Sequence, residues 1–423
     1  MSDSILGLGG CEEVGRSSFL LDIGEKILLE CGIKLSPTGT EYPLPLHTNL
    51  DVAIISHAHL DHSGNLPHLF LKSNPLCYMT QPTLDLAELL WHDTLKIAGL
   101  EGTEEKFSKE EIKRTRKYSF AIGYNRKMPI TKKCSMEFFN AGHILGSVLT
   151  KLSFSGKSLL YTGDFKVKET RLLEKADLKV GHVDYVVIES TYGDREHPDR
   201  KKTEKEFVEK VQDTVDRGGT ALVPAFAVGR SHEIIDVLHE YKLNAPVYLD
   251  GMAKTAARIT MNYPKFLKDA KFLGKALKST KWIKNEGQRR HALKEPSVIV
   301  TTAGMLEGGP VLNYIKKIHA DKNSSVLLTG YQVEQTKGRR LLETGKIEVD
   351  GETYKLKCDV QKFDFSAHAS QSEMLYALNK WSPQKAFIVH GEKSVAHKFG
   401  KKIKEELGIN AVVLKQGKTE KLD

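Results

Sequence analysis

The chain has 423 residues, 40% hydrophobic and 28% charged, with a formal net charge of +9; this balance excludes a disordered or fibrous protein, allows two or three domains, and favours polyanionic partners. No stretch approaches the roughly 18 unbroken apolar residues of a membrane span, so no membrane partner is expected, and the opening MSDSILGLGG lacks the basic and apolar regions of a secretory signal. The five cysteines, Cys11, Cys31, Cys77, Cys134 and Cys358, are odd in number and form no CxxC pair, which predicts buried free thiols and a cytoplasmic protein.

Along the first part of the chain, short apolar runs alternate with Gly-rich or His-rich turns. Phe19 to Ile23 and Lys26 to Glu30 read as strands joined at Gly24-Glu25. Val52 to Ser56 ends directly at His57, Leu159 to Thr162 ends before Gly163-Asp164, and Tyr185 to Ile188 ends before Glu189. Polar residues at several strand ends are what a site on a sheet edge requires. The charged stretch Gly193 to Lys205 reads as a linker; Thr203 then predicts a helix start with a capping box to Glu206, and Gly218-Gly219 its stop. A strand from Thr220 to Phe226 follows, and Ser231 is the expected cap of the next helix. Further strands at Val247 to Leu249, Val298 to Thr301 and Val326 to Leu328 predict a parallel α/β domain. Between Pro264 and His291, lysines recur every three or four residues, which predicts a basic helix side. Motifs of the first kind return at His368 and His390. The middle domain is therefore read as an insertion, with boundaries 1–193, 194–363 and 364–423.

The segment His57-Ala58-His59-Leu60-Asp61-His62 carries three imidazoles and a carboxylate. An extended segment points His57 and His59 the same way, and a turn at Leu60-Asp61 presents Asp61 and His62 to a neighbouring point. One short segment could thus feed two metal ions. Nitrogen and carboxylate donors suit zinc, with manganese also tolerated. Further donors of the right type are His143 in AGHILGS, Asp164 in YTGDF and His390 in IVHGE, and a carboxylate such as Asp164 can bridge two metals. Two metals about 3.5–4 Å apart suit phosphoryl transfer. His368 is the candidate general acid, Glu189 could hold its imidazole charged, and Ser366 and Ser370 offer hydroxyls for a phosphate oxygen. His68, His92, His232, His239, His291, His319 and His397 show no such pattern and are read as ordinary structural residues.

HAHLDH at 57–62, AGHILGS at 141–147, YTGDF at 161–165, ESTYG at 189–193, FSAHAS at 365–370 and IVHGE at 388–392 resemble, in order, the motifs of the β-CASP nucleases of the metallo-β-lactamase fold. PAFAVGRSHE at 224–233 and TTAGMLEGGP at 301–310 resemble segments of the inserted β-CASP domain. The wording is closest to the branch containing the nuclease subunit of the mRNA cleavage and polyadenylation factor and its archaeal relatives, rather than to RNase J. The resemblance implies an α/β protein: a metallo-β-lactamase αββα sandwich with an inserted parallel α/β domain. It also implies one zinc on His57, His59 and His143, a second on Asp61, His62 and His390, and Asp164 as bridge. Asp61, Glu189 and His368 would form the catalytic group, the last two assisting departure of the leaving oxygen.

Two departures from the family pattern matter. Glu30 stands where the family usually has aspartate, in a position expected to support the ligand shell. The chain also begins almost at once with the catalytic domain, so the KH modules of some archaeal relatives are expected to be absent. RNA would then be held by the catalytic body, with Arg230, Ser231, Ser366, Ser370 and the lysines after Pro264 as candidate phosphate contacts. The expected function is zinc-dependent endonucleolytic hydrolysis of single-stranded RNA in processing or decay, with the scissile phosphate gripped between two domains. The alternatives are a 5′-to-3′ exoribonuclease or dual activity, a non-catalytic RNA-binding scaffold, DNA cleavage, and a small-molecule hydrolase. A homodimer and an RNA-processing or decay complex are the partner expectations drawn from the family.

Overall fold

The computed structural model describes residues 3–36 and 39–422. Two compact units emerge: the first comprises Met1–Glu169, Glu174–Glu196 and Ala367–Asp423, the second Thr170–Leu173 and His197–Ser366.

The first unit holds two seven-stranded mixed sheets. In one, the neighbours run Thr419–Lys421, Ser4–Gly9, Ser18–Asp22, Lys26–Leu29, Val52–Ile54, Leu76–Met79 and Ser119–Ala121. In the other they run Asn410–Val413, Lys385–Val389, Tyr185–Glu189, Lys157–Tyr161, Val148–Phe154, Cys134–Asn140 and Met128–Pro129. Alternation along each strand turns one set of side chains inward. Phe19, Leu21, Ile27, Leu29, Val52 and Ile54 from the first sheet share a buried core with Met136, Phe138, Leu152, Leu159, Tyr161 and Val187 from the second. Helices Gln81–Glu101 and Gln371–Trp381 fasten themselves through tryptophans: Trp91 donates to the Ser63 carbonyl at 3.0 Å and Trp381 to the Leu178 carbonyl at 3.2 Å. All five cysteines are free and buried, and no helix among the described residues is long and apolar enough to cross a membrane.

Strands Lys157–Tyr161, Tyr185–Glu189 and Lys385–Val389 are parallel neighbours, with Glu189 paired to Val389. Their C-terminal ends therefore lie on one sheet edge, and Asp164, Glu189 and His390 follow from it. In the facing sheet, Lys26–Leu29 and Val52–Ile54 are also parallel, which sets Glu30 beside the segment that leads into His57.

The second unit is a six-stranded sheet in the order Lys281–Trp282, Val247–Leu249, Ser297–Thr301, Thr220–Pro224, Ser325–Leu328 and Asp359–Lys362, and every pairing is parallel. Three local expectations are corrected here. The first helix spans Arg200–Asp216, starting before Thr203, because the Asp199 carboxylate caps it by accepting from Lys202 N–H at 2.8 Å. Thr203 instead lies one turn inside, its hydroxyl bonded to the Asp199 carbonyl at 3.0 Å. Helix Arg230–Glu240 is capped by Gly229 at φ 80°, not by Ser231, whose hydroxyl donates back to the Ala227 carbonyl at 3.0 Å. The lysines after Pro264 do not share one helix. Asp269 caps a new helix, Ala270–Ser279, and the strand Lys281–Trp282 separates it from Glu286–Ala292.

Candidate metal centre

His57 to His62 leave strand Val52–Ile54 as an extended segment that ends in the one-turn helix Leu60–Ser63, with His59 as its N-cap. This geometry puts His57 Nε2 3.1 Å from His59 Nδ1, the same-side arrangement expected of alternation. His143 arrives on the loop between strands Cys134–Asn140 and Val148–Phe154, and its Nε2 is 3.3 Å from His59 Nδ1. Asp164 follows Gly163, whose φ of 49° is left-handed; a Cβ there would stand 2.5 Å from Ser56 Oγ, so only glycine lets the chain pass.

Asp164 Oδ2 lies 3.6 Å from His57 Nε2, 3.6 Å from His143 Nε2 and 3.3 Å from His62 Nε2. Oδ1 lies 3.6 Å from His390 Nε2. Asp61 Oδ2 is 3.7 Å from Nε2 of both His62 and His390. Two overlapping donor sets result. His57, His59, His143 and Asp164 form one and His62, Asp164 and His390 the other, with Asp61 grouped with His57 and His62; within each group the donor atoms lie within 4.8 Å of one another.

The atoms pointing away from this centre are held. His57 Nδ1 lies 3.0 Å from Ser56 Oγ, and His390 Nδ1 lies 2.8 Å from Ser17 Oγ. His143 Nδ1 donates to the Ala367 carbonyl at 3.0 Å. Such outer partners fix imidazole tautomer and orientation. Glu30, fully buried, accepts from Ser56 N–H at 2.9 Å and faces His62 Nδ1 at 3.6 Å. Ser17 and Ser56 were not apparent from sequence. Ser56 borders the histidine cluster, but Ser17 reaches His390 across 373 positions and gives no local signal.

Burial lowers the imidazoles of His57 and His143 well below the usual range and brings His59 to about 4, leaving lone pairs available to a cation. His62 goes the other way: burial opposes its charge, but Asp164 and Asp61 hold it protonated. A cation bound there would displace that proton. Burial likewise opposes Asp164, yet His390, His62 and His368 hold its carboxyl well below the ordinary range. The residues fit divalent ions on two counts. The donors are imidazole nitrogens and carboxylate oxygens. His62 Nε2 and Asp164 Oδ1 are also buried without a hydrogen bond among the described residues, an arrangement that costs free energy unless a cation faces them.

Glu189 and His368 lie beside the donor sets. His368 Nδ1 donates to Glu189 Oε2 at 2.8 Å, while its Nε2 faces Asp164 Oδ2 at 3.9 Å. Glu189 Oε1 in turn accepts from Phe165 N–H at 2.9 Å. Burial opposes the imidazolium, but Glu189 and Asp164 outweigh it and raise His368 to about 9.

The other sequence-predicted contacts have protein partners of their own. Arg230 is buried, with Nη1 on Glu233 Oε2 at 2.5 Å and its guanidinium 6.0 Å from the Phe365 ring. Ser231 is fully buried against Ala227. Ser370 is buried and donates to Glu196 Oε2 at 2.7 Å, and the half-buried Ser366 takes an Asp364 carboxylate at its N–H at 2.9 Å. His232 donates from Nε2 to the Ala253 carbonyl at 3.2 Å, a structural role as expected.

The Metallo-beta-lactamase superfamily domain matches residues 19–191, the Beta-Casp domain residues 232–341, and the Zn-dependent metallo-hydrolase RNA specificity domain residues 353–414. The chain belongs to the β-CASP metallo-β-lactamases. Among its relatives, "Probable RNase MJ4" of Methanocaldococcus jannaschii is 40% identical over 92% of this chain and 93% of its own length. "RNase aCSPSF2" of Saccharolobus solfataricus is 36% identical over 97% of this chain and 83% of its own. "Transcription termination factor FttA" of Thermococcus kodakarensis is 35% identical over 97% of this chain and 71% of its own. The β-CASP assignment carries with it the fold class expected from sequence, an α/β metallo-β-lactamase body with a β-CASP domain, and the recognition of the archaeal branch.

Proposed function

We propose that this chain hydrolyses phosphodiester bonds of single-stranded RNA at a two-zinc centre. His57, His59, His143 and Asp164 would hold one ion, and Asp61, His62, Asp164 and His390 the other, with manganese compatible with the same donors. The observation that carries the proposal is Asp164, a single buried carboxylate faced by five imidazoles, His57, His62, His143, His368 and His390. One carboxylate with oxygens turned to different histidines suits a bridge between two cations. Bound cations would supply Lewis acidity, easing deprotonation of a water and offsetting phosphate charge.

The chain's own residues supply the rest. His368, held protonated by Glu189, directs Nε2 toward the centre, where it can give a proton to the leaving oxygen as the P–O bond breaks. Asp61, whose side chain is 31% exposed, can accept a hydrogen bond from an incoming water. RNA as substrate is supported by the names of the relatives, by the RNA specificity domain match and by the net charge of +9. A non-catalytic scaffold is disfavoured because every candidate donor is present and convergent.

Endonucleolysis is favoured over the 5′-exonuclease alternative by the surroundings of Ser370. Its hydroxyl is taken by Glu196, and a carboxylate at that point repels the terminal phosphate that an exonuclease must seat. The remaining parts of the proposal are a β-CASP insertion at 194–363 between catalytic segments 1–193 and 364–423, a cytoplasmic location, a homodimer, and an RNA-processing or decay complex. His59→Ala and Asp164→Ala should each abolish cleavage while RNA binding persists; unaltered cleavage with metal content verified would sink the mechanism. Cutting of a circular RNA separates the two modes, since only an endonuclease can open it.

A further inference from the structure

We infer that Lys166 is a positioning residue for the His368 proton donor, an inference that rests on the acid role proposed for His368. Lys166 lies two residues beyond Asp164 and is only 7% exposed. Its Nζ donates to the main-chain carbonyl of His368 at 2.9 Å and to Glu373 Oε2 at 3.3 Å. Its own backbone is fixed on both sides, by donation to the Ala141 carbonyl at 2.9 Å and by acceptance from Ala176 N–H at 2.8 Å. The ammonium therefore projects from a rigid point on the Asp164 and His143 loops.

Beyond His368, the segment that Lys166 grips is tied to Glu196 by Ser370 and Ser372 and to the Arg195 carbonyl by Gln371 N–H. His143 Nδ1 holds the carbonyl of Ala367, and Lys166 holds the next one, that of His368. Glu373 links this grip to the following helix: its Oε2 also accepts from Ser370 N–H at 3.1 Å, closing the capping box of Gln371–Trp381. The exposed Lys168 adds a second cation, 3.4 Å from Glu373 Oε1. Burying an ammonium is costly unless it is well paired, and an apolar side chain of similar length would fill the space without that cost. What the lysine adds is direction: it sets where the backbone of His368 stands relative to Asp164, while Glu189 sets the ring.

In the step concerned, a water oxygen bonds to phosphorus, the P–O bond to the leaving oxygen breaks, and the His368 Nε2 proton passes to that oxygen. The water's proton goes to solvent and His368 is reprotonated from solvent, so the balance is one water consumed per diester. A donor displaced by about 1 Å loses roughly a hundredfold in rate. The loss should depend on how much the leaving oxygen needs the proton.

The test compares RNA with bis(4-nitrophenyl) phosphate, whose nitrophenolate departs without protonation, in full-length zinc-loaded Lys166→Met, Lys166→Arg and His368→Ala proteins. Lys166→Met is expected to lower kcat on RNA about 10- to 100-fold with KM little changed, to leave the nitrophenyl rate nearly intact, and to be largely restored in Lys166→Arg. Equal losses on both substrates, or an RNA rate that Lys166→Met leaves unaltered, would overturn the inference. His368→Ala separates this from failure of the underlying proposal. If it too lacks a selective RNA defect, the acid role itself falls. If it shows that defect and Lys166→Met does not, only the positioning role falls.

Discussion

Glu30 sets Oε2 3.6 Å from Nδ1 of His62, and both side chains are fully buried. The other oxygen, Oε1, accepts from Ser56 N–H at 2.9 Å, so one carboxylate spans the two ends of the histidine segment. Backbone geometry makes this reach available: Glu30 adopts φ 64° after its N–H pairs with the Ile54 carbonyl. The extra methylene relative to the family's usual aspartate is thus accommodated with the carboxylate still at His62. Glu30→Gln keeps the shape but removes the charge that favours a donating His62 Nδ1–H, and zinc affinity should fall about 10- to 100-fold. Glu30→Asp, retracting from His62, should also weaken binding. Chelator competition measures both, and an unaltered affinity in Glu30→Gln would remove Glu30 from the supporting shell.

The pH dependence of cleavage should carry the signature of Glu189. Burial alone would discharge His368; the adjacent Glu189 carboxylate and Asp164 reverse this and bring it to about 9. Below that pH the imidazolium is present, and above it the proton donor is lost, so the rate should decline on the alkaline side. Glu189→Gln removes the largest raising influence. The alkaline limb should then move at least about one unit toward the unperturbed histidine value near 6.5. A pH–kcat profile with the limb in the same place for both proteins would dissociate it from His368.

Sequence and structure agree best where chemistry is concentrated in short segments. His57 to His62 were legible because four donors within one turn-forming stretch have few structural explanations, and their same-side presentation follows from strand geometry. The convergence of His143, Asp164 and His390 required the sheet edges, yet each was marked by its position after a strand. Ser17, Ser56 and Lys166 left no comparable mark, because hydroxyls and lysines are common, and the partners of Ser17 and Lys166 lie far along the chain. The partners of the candidate phosphate contacts were no more legible. Arg230 looks like a free cation in sequence, but Glu233, one turn on, takes it into a buried pair. Helix starts shifted where a second capping residue, Asp199 or Gly229, competed with the chosen one.

Asp236 provides a stability prediction independent of the metal centre. It lies on helix Arg230–Glu240, is 1% exposed, and its Oδ1 has no hydrogen-bond partner among the described residues. Burial, reinforced by Glu233, raises its carboxyl to about 8. The folded state therefore keeps a proton that the unfolded chain releases near pH 4. Between about pH 4 and 8 this makes folding stability decline with rising pH, by up to roughly 1.4 kcal/mol per unit. Asp236→Asn keeps the shape without the titration. It should match the wild type near pH 4 and exceed it at pH 8. Denaturant melts across this range check the expectation, and parallel pH profiles for the two proteins would contradict it.

The lysines of helix Ala270–Ser279 offer a measurable RNA contact. Lys271, Lys275 and Lys278 are exposed at spacings of four and three, opposite the buried Leu273, Ala276 and Leu277. Elsewhere, exposed helix lysines have glutamate partners at i+4, as in Lys202–Glu206, Lys205–Glu209 and Lys401–Glu405. Lys271, Lys275 and Lys278 have no ion-pair partner among the described residues, and the nearest acid in the helix, Asp269, is occupied as its cap. Three unneutralised charges along one helix face suit the backbone of a single strand. Replacing all three with alanine should flatten the dependence of log affinity on log salt by about 2, since each phosphate contact on single-stranded nucleic acid contributes about 0.7. Cleavage at saturating RNA should keep its kcat, because the substitutions alter capture and leave the reacting groups in place. Filter-binding titrations over a salt series read the slope directly. An unchanged slope would return these lysines to the role of a solvated face.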